Sequence, residues 1–229
     1  KGPLKVSERL VDRMVSRHVL HHINGIWSPY SWLLPRRFSV AETILTPPHW
    51  PKNLRRLRVL LLTDIHTGPF MRPEVLSKTL STLMDLRPDL VAIAGDIVTG
   101  DPKDLDDFLA GLAVLSQAPL GAWFCFGNHE YFNSEPRAIS ERLESIGIST
   151  LRNQSIALTH GNGKFTLGGI DDRILGTPDW EELLSDNGPP HLLLAHHPDF
   201  FYEAQARDIA LVLSGHTHGG QIRLRGRPP

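Results

Sequence analysis

From residue 57 the chain alternates two kinds of hydrophobic pattern. LRVLLLTD, DLVAIAGD and GAWFCFGN are short, nearly continuous apolar runs. Runs of this kind predict strands buried on both faces, as in a parallel sheet covered on each side. Each is followed by a stretch whose apolar residues recur at helical spacing: RPEVLSKTLSTLMDL, DLDDFLAGLAVLSQ and SEPRAISERLESIG. Three strand–helix units in succession predict an α/β fold with parallel strands. The later chain is richer in strand patterns: ISTLR, SIALTH, KFTLGGI, HLLLAHH, IALVLSGH and QIRLR. Only WEELLSD and DFFYEAQAR read as helical there, which predicts a second sheet with shorter helices.

Residues 1–56 carry a different pattern. Leu10, Met14, Val15 and Val19 follow the spacing of an amphipathic helix. Trp27, Tyr30, Trp32, Leu33 and Leu34 then lie close to Arg36 and Arg37. Aromatic residues beside basic ones suit a membrane interface, and they equally suit a cap on a domain core. TPPHWPKNL reads as a proline-rich connection. The expected organisation is therefore an N-terminal amphipathic and aromatic segment over 1–56, membrane-proximal, and a main domain over 57–229. Association with the membrane is expected to be peripheral, with a cytoplasmic protein as the alternative.

Composition narrows the classes. The 229 residues are 41% hydrophobic and 21% charged, with a formal net charge of −1. That balance suits a globular domain and argues against a general nucleic-acid binder, which shows a basic excess. No apolar run approaches the roughly 20 residues that span a bilayer. Cys125 is the single cysteine. It excludes an internal disulfide and a cysteine-rich zinc site, and its setting AWFCF predicts core packing.

The chemistry collects where strands end. In open α/β sheets ligands bind beyond the carboxyl ends of the strands. The first apolar run ends in Asp64-Ile65-His66, the second in Gly95-Asp96 and the third in Gly127-Asn128-His129-Glu130. Later runs end in His196-His197 and in Gly215-His216-Thr217-His218. Positions 64, 96 and 128 are evenly spaced by 32 residues, the stride of one β-α-β unit. Asp64 and His66, two apart, point to the same side of an extended chain, as do His216 and His218. Any one of these pairs alone would suit a turn or a solvated loop. Five strand ends with the same chemistry predict a metal site. Asp64, His66, Asp96, Asn128, His196, His216 and His218 are too many ligands for one tetrahedral ion and suit two cations, with Asp96 shared. Mixed oxygen and imidazole donors fit manganese, iron or zinc better than calcium. One of His196 and His197 is expected to be only structural or exposed.

The motifs DIH from Asp64, GDIVTGD from Gly95, GNHE from Gly127, HHPD from His196 and GHTH from Gly215 stand in the order found in calcineurin-like metallophosphoesterases. The chain resembles that family over residues 58–225. GHTHGGQI is similar to the branch of bacterial membrane-associated phosphodiesterases that includes hydrolases of UDP-2,3-diacylglucosamine. The resemblance implies a four-layer α/β/β/α sandwich of two mixed sheets with a dinuclear metal site at the sheet edge. It implies two divalent cations, manganese foremost, with zinc or iron as alternatives. One would be held by Asp64, His66, Asp96 and His218, the other by Asp96, Asn128, His196 and His216. His129 would face the phosphate as a catalytic group, oriented by Glu130. The implied reaction is hydrolysis of a phosphodiester or pyrophosphate, lipid- or nucleotide-linked, by a hydroxide bridging the metals. A soluble phosphomonoesterase or cyclic-nucleotide phosphodiesterase, and a non-catalytic scaffold, are the alternatives. Two departures stand out. The last acid of the family's GDxxD is Thr99, for which Asp101 is a candidate substitute. The chain also ends at RLRGRPP where relatives continue, so a truncated C-terminal end is expected.

Overall fold

The computed structural model describes residues 40–54, 56–68, 71–132 and 136–218. The helix and aromatic cluster expected within 1–39, and the strand expected at QIRLR, lie outside the described residues. Among the described residues, eight strands form two four-stranded sheets. The first contains β1 (Val59–Leu62), β2 (Leu90–Ala94), β3 (Ala122–Cys125) and β4 (Ile148–Leu151), paired in that order. All three pairings are parallel, with Leu61 opposite Ala92, Ile93 opposite Phe124 and Phe124 opposite Thr150. The second sheet contains β5 (Gln154–His160), β6 (Gly163–Gly169), β7 (Leu192–Leu194) and β8 (Leu211–Leu213). There β5 and β6 form an antiparallel hairpin, while β6–β7 and β7–β8 are parallel. Only the second sheet is therefore mixed among the described residues. The first is parallel throughout, because each of its strands is joined to the next by a helical crossover.

Period-two alternation divides the core into three layers. In β2, Val91 and Ile93 face the helices, and Leu90, Ala92 and Ala94 face the other sheet. The helical face is covered by α1 (Pro73–Met84) and α3 (Pro136–Ser145), through Leu76, Leu80, Leu83, Ile139 and Leu143. Proline opens both helices, at a position that has no N–H to lose. Between them the predicted second helix is mostly 3₁₀: Pro102–Phe108 and Ala113–Gln117 flank one α-turn, α2 (Leu109–Leu112). Asp101 and Asp104 cap the first of these pieces reciprocally. The inter-sheet layer joins Cys125 and Leu151 to Phe165, Leu167, Leu192 and Leu194. The outer face of the second sheet is covered by α4 (Trp180–Leu184) and α5 (Phe200–Gln205), through Leu183, Phe200 and Ala204. This is the α/β/β/α sandwich.

Two details depart from the sequence pattern. β1 reads as buried on both faces, yet it is an edge strand and Leu61 is 39% exposed. Within the segment set apart as 1–56, Trp50 and Leu54 pack on the inter-sheet layer, and the Trp50 ring lies 6.3 Å from that of Phe165. Among the described residues no helix is long and apolar enough to cross a membrane.

Leu167 is fully buried between the sheets. Leu167→Ala is expected to lower the unfolding free energy by about 2–5 kcal/mol. Guanidinium unfolding checks this, and a loss below about 1 kcal/mol would mean that the sheets close over the cavity.

Candidate metal centre

Parallel strands end on the same side, so the loops after β1, β2 and β3 emerge together. The loop after β1 continues to pair with the loop after β2 beyond the sheet. The N–H groups of Asp64, His66 and Thr67 donate to the carbonyls of Gly95, Asp96 and Ile97 at 3.1, 3.0 and 2.7 Å. The ends of β7 and β8 meet them from the second sheet: Gly215 N–H donates to the His196 carbonyl at 3.0 Å, and His216 N–H to Asp64 Oδ2 at 3.1 Å. Gly215 is required by this close approach, since a Cβ there would lie 1.8 Å from Thr63 Oγ1.

Five of the seven expected ligands have left-handed backbone. Their φ values are 52° at Asp64, 49° at His66, 53° at Asp96, 69° at His216 and 48° at His218. Non-glycine residues pay of order 1–2 kcal/mol each for that conformation. The surrounding hydrogen bonds hold them in it, and the turns aim their side chains at one another.

The side chains form two groups sharing Asp96. In the first, His218 Nε2 lies 3.2 Å from Asp64 Oδ1 and 3.3 Å from His66 Nε2, and His66 Nε2 is 3.9 Å from Asp96 Oδ2. In the second, His196 Nε2 is 3.1 Å from Asp96 Oδ2, and the His196 and His216 rings are 5.1 Å apart. His196 directs Nδ1 to the Ala94 carbonyl at 2.7 Å, which leaves Nε2 as the inward donor atom. That nitrogen and Asn128 Oδ1 are buried without an aligned hydrogen-bond partner. Orphaned buried polar atoms, together with imidazole nitrogens set edge to edge beside carboxylates, fit a pair of divalent cations. Asp64, His66, Asp96 and His218 have donor atoms all within 4.8 Å of one another, which suits one ion.

Electrostatics follow from burial and from Asp96. Burial opposes charge on His196, but the Asp96 carboxylate outweighs it and holds the imidazole at about 9. Burial also raises Asp96, and His196 beside it brings it below the usual carboxylate range. His66 is lowered by burial and then by His129. His216 is lowered by burial and then by His197 and His196. A cation binding here competes with the His196 proton for one nitrogen, so binding releases protons.

Glu130 and His129 divide their tasks differently from the expectation. Glu130 is 1% exposed. Its oxygens accept from the N–H groups of Asp96 at 2.9 Å, Ile97 at 2.8 Å and Gly127 at 2.7 Å. It therefore ties the loop after β2 to the loop after β3 and fixes the backbone of Asp96. Burial and then the Asp96 charge push its carboxyl up to about 8. The His129 imidazole is held by the carbonyl of Thr99, 2.6 Å from Nδ1, while its Nε2 faces Asp96 Oδ2 at 3.9 Å. Thr99 also donates its hydroxyl to the His66 carbonyl at 3.2 Å. Asp101 does not take over at this position: it caps the helix at Lys103 N–H, 3.0 Å away.

His197 and Asp172 escaped the sequence reading as site residues. Both are buried, and the His197 ring lies 3.9 Å from that of His216. The rule about strand ends would have found Asp172, because GGIDD closes β6 just as GD closes β2.

Two layered sheets with a twin donor cluster at their carboxyl ends define a metallophosphoesterase domain. The chain belongs to the calcineurin-like phosphoesterase family, whose pattern matches residues 57–220. It is 36% identical over 186 residues to a Danio rerio transmembrane protein with metallophosphoesterase domain, covering 75% of this chain and 42% of that protein. It is 34% identical over 200 residues to the Bos taurus protein of the same name, covering 80% and 45%. It is 33% identical over 176 residues to the Escherichia coli phosphodiesterase YaeI, covering 75% and 64%. The chain thus spans less than half of the two vertebrate relatives.

Glu130→Gln replaces one acceptor oxygen with a donor that would face backbone N–H groups. The variant is expected to unfold about 1–3 kcal/mol more easily and to bind manganese more weakly. Unfolding curves and equilibrium dialysis check both effects. Unchanged values would mean that the loop after β2 holds Asp96 without Glu130.

Proposed function

We propose that the chain hydrolyses a phosphodiester or pyrophosphate of a lipid- or nucleotide-linked substrate, using two divalent cations. The observation that carries this reading is the position of Asp96, with Oδ2 toward His66, His129 and His196 at once. One carboxylate then serves both donor groups while a potential proton donor stands over it. Asp64, His66, Asp96 and His218 would hold one cation, and Asp96, Asn128, His196 and His216 the other. Such a pair polarises phosphoryl oxygens and acidifies water. Manganese suits the mixed oxygen and imidazole set, with zinc or iron as alternatives.

The remaining work falls to this chain's own groups. Phosphate carries negative charge, and reaction moves more of it toward the leaving oxygen. With Nδ1–H donated to Thr99, His129 presents Nε2 to the site. Protonated there, it steadies a phosphoryl oxygen or delivers the proton that the leaving group needs. Glu130 contributes indirectly, by fixing the backbone of Asp96 and Gly127 on either side.

A diester is favoured over a monoester by the relative named as a phosphodiesterase. A role near the membrane is favoured by the two relatives named as transmembrane proteins and by the Trp27, Tyr30 and Trp32 cluster beside Arg36 and Arg37. A non-catalytic scaffold would have no use for seven convergent ligands and an oriented His129.

Metal-stripped protein given back manganese, zinc or magnesium is expected to cleave bis(p-nitrophenyl) phosphate faster than p-nitrophenyl phosphate. A monoester preference would replace the diester reading with a phosphomonoesterase. His129→Ala should retain both metals and lose roughly 10²–10⁴-fold in turnover, whereas Asp96→Ala should lose metal and activity together. Metal loss in His129→Ala would remove His129 from the proton-donor role. In liposome flotation the chain is expected to float with vesicles, and a protein lacking residues 1–39, which keeps Trp50 and Leu54 in the core, is not. Equal recovery of both in the soluble fraction would end the membrane reading.

A further inference from the structure

Four buried side-chain atoms among the described residues have no aligned hydrogen-bond partner. Two are Asn128 Oδ1 and His196 Nε2, already assigned to the second cation. The other two are His197 Nε2 and Asp172 Oδ2. They lie 2.8 Å apart, and their side chains are 5% and 0% exposed. Asp172 has no freedom to turn, because its other oxygen accepts from the N–H groups of Ile174 at 3.0 Å and Leu175 at 2.6 Å. Asp172 thus holds the Nε2 side of a buried His197 ring at 2.8 Å, which leaves Nδ1 as the atom that could donate to a cation.

The surroundings place this ring among other imidazoles. The His197 ring is 3.9 Å from that of His216 and 5.3 Å from that of His196. One donor nitrogen from each of His196, His197 and His216 lies within 4.8 Å of the others. Packing alone does not explain three imidazoles gathered in this way. A buried imidazole used only as filler costs desolvation that an apolar side chain avoids. A carboxylate at the back of a histidine is the usual companion of a metal ligand, since it orients the ring and strengthens its donation.

We propose that His197 is an additional nitrogen donor to the cation held by His196 and His216, and that Asp172 is the carboxylate positioning it. This rests on the dinuclear reading above. It makes the two sites unlike: Asp64, His66, Asp96 and His218 bring two carboxylates and two imidazoles, while the second site brings three imidazoles, the Asn128 amide and the shared carboxylate. Nitrogen-rich sets favour zinc over manganese, so zinc should fill the second site first.

The test uses the whole chain with ¹⁵N-labelled histidine, titrated with zinc while imidazole ¹H–¹⁵N correlations are followed. The His197 signals, assigned by comparison with His197→Gln, are expected to move to the metal-bound range at the same zinc equivalent as those of His196 and His216. Movement of His196 and His216 with His197 unmoved overturns the proposal and leaves the dinuclear reading intact. No movement of any histidine, including His66 and His218, overturns both. If His197→Gln does not fold, Asp172→Asn decides by dialysis. It should bind zinc about 10–100-fold more weakly at the second site, with the first site unchanged, and equal affinity at both would overturn the proposal.

Discussion

The site depends on holding the backbone of Asp96 in place. Glycine before it and a left-handed turn at it leave this stretch with little local preference for its shape. What holds it is a buried carboxylate. Glu130 reaches from the loop after β3 and accepts from Asp96 and Ile97 on one side and Gly127 on the other. In a dry interior, losing these hydrogen bonds would leave buried backbone N–H groups unpaired, which is costly. With Asp96 fixed, the loop after β1 pairs against it through His66 and Thr67. Gly215 and His216 then close the ring from the second sheet. Each later contact presupposes the earlier one.

Much of this was legible in the sequence. Three continuous apolar runs, each followed by a helical pattern, are enough to predict parallel strands, and parallel strands bring their ends to one edge. The even spacing of Asp64, Asp96 and Asn128 predicts them side by side, and the structure brings Asp64 and Asp96 together with His196, His216 and His218. The alternation within LVAIA also shows why one strand feeds two cores, since only a sheet covered on both faces buries every residue.

The parts that were not legible share a cause: they rest on contacts between backbone and side chain across loops. Thr99 reads as the loss of a family acid. Its carbonyl, which no sequence pattern advertises, receives His129 instead. Asp101 reads as a substitute, but in a short stretch beginning Asp-Pro the capping of the next helix competes for the same side chain and wins. Glu130 stands next to His129 in sequence, and adjacency suggested that it orients the ring. In a 3₁₀ turn neighbouring side chains diverge, so Glu130 points into the core while His129 points to the site. His196 and His197 show the converse. Only one of the pair is expected at the site, and strand alternation cannot say which. Both lie beyond the end of β7, where that alternation no longer applies.

An asymmetric centre has consequences for catalysis. If both cations had the same donor set, a bound phosphate would feel equal pull from either side. Here one group carries Asp64 in addition to the shared Asp96, and the other gathers imidazoles and an amide around the same carboxylate. A cation held by fewer carboxylates would keep more of its charge and polarise an oxygen more strongly. His129 stands on Asp96 between the two groups, with its ring 4.5 Å from that of His66. A phosphate drawn toward the imidazole-rich side would therefore turn its opposite face toward His66 and His129. With two cations bound as proposed, that arrangement would give them different tasks without needing two different metals.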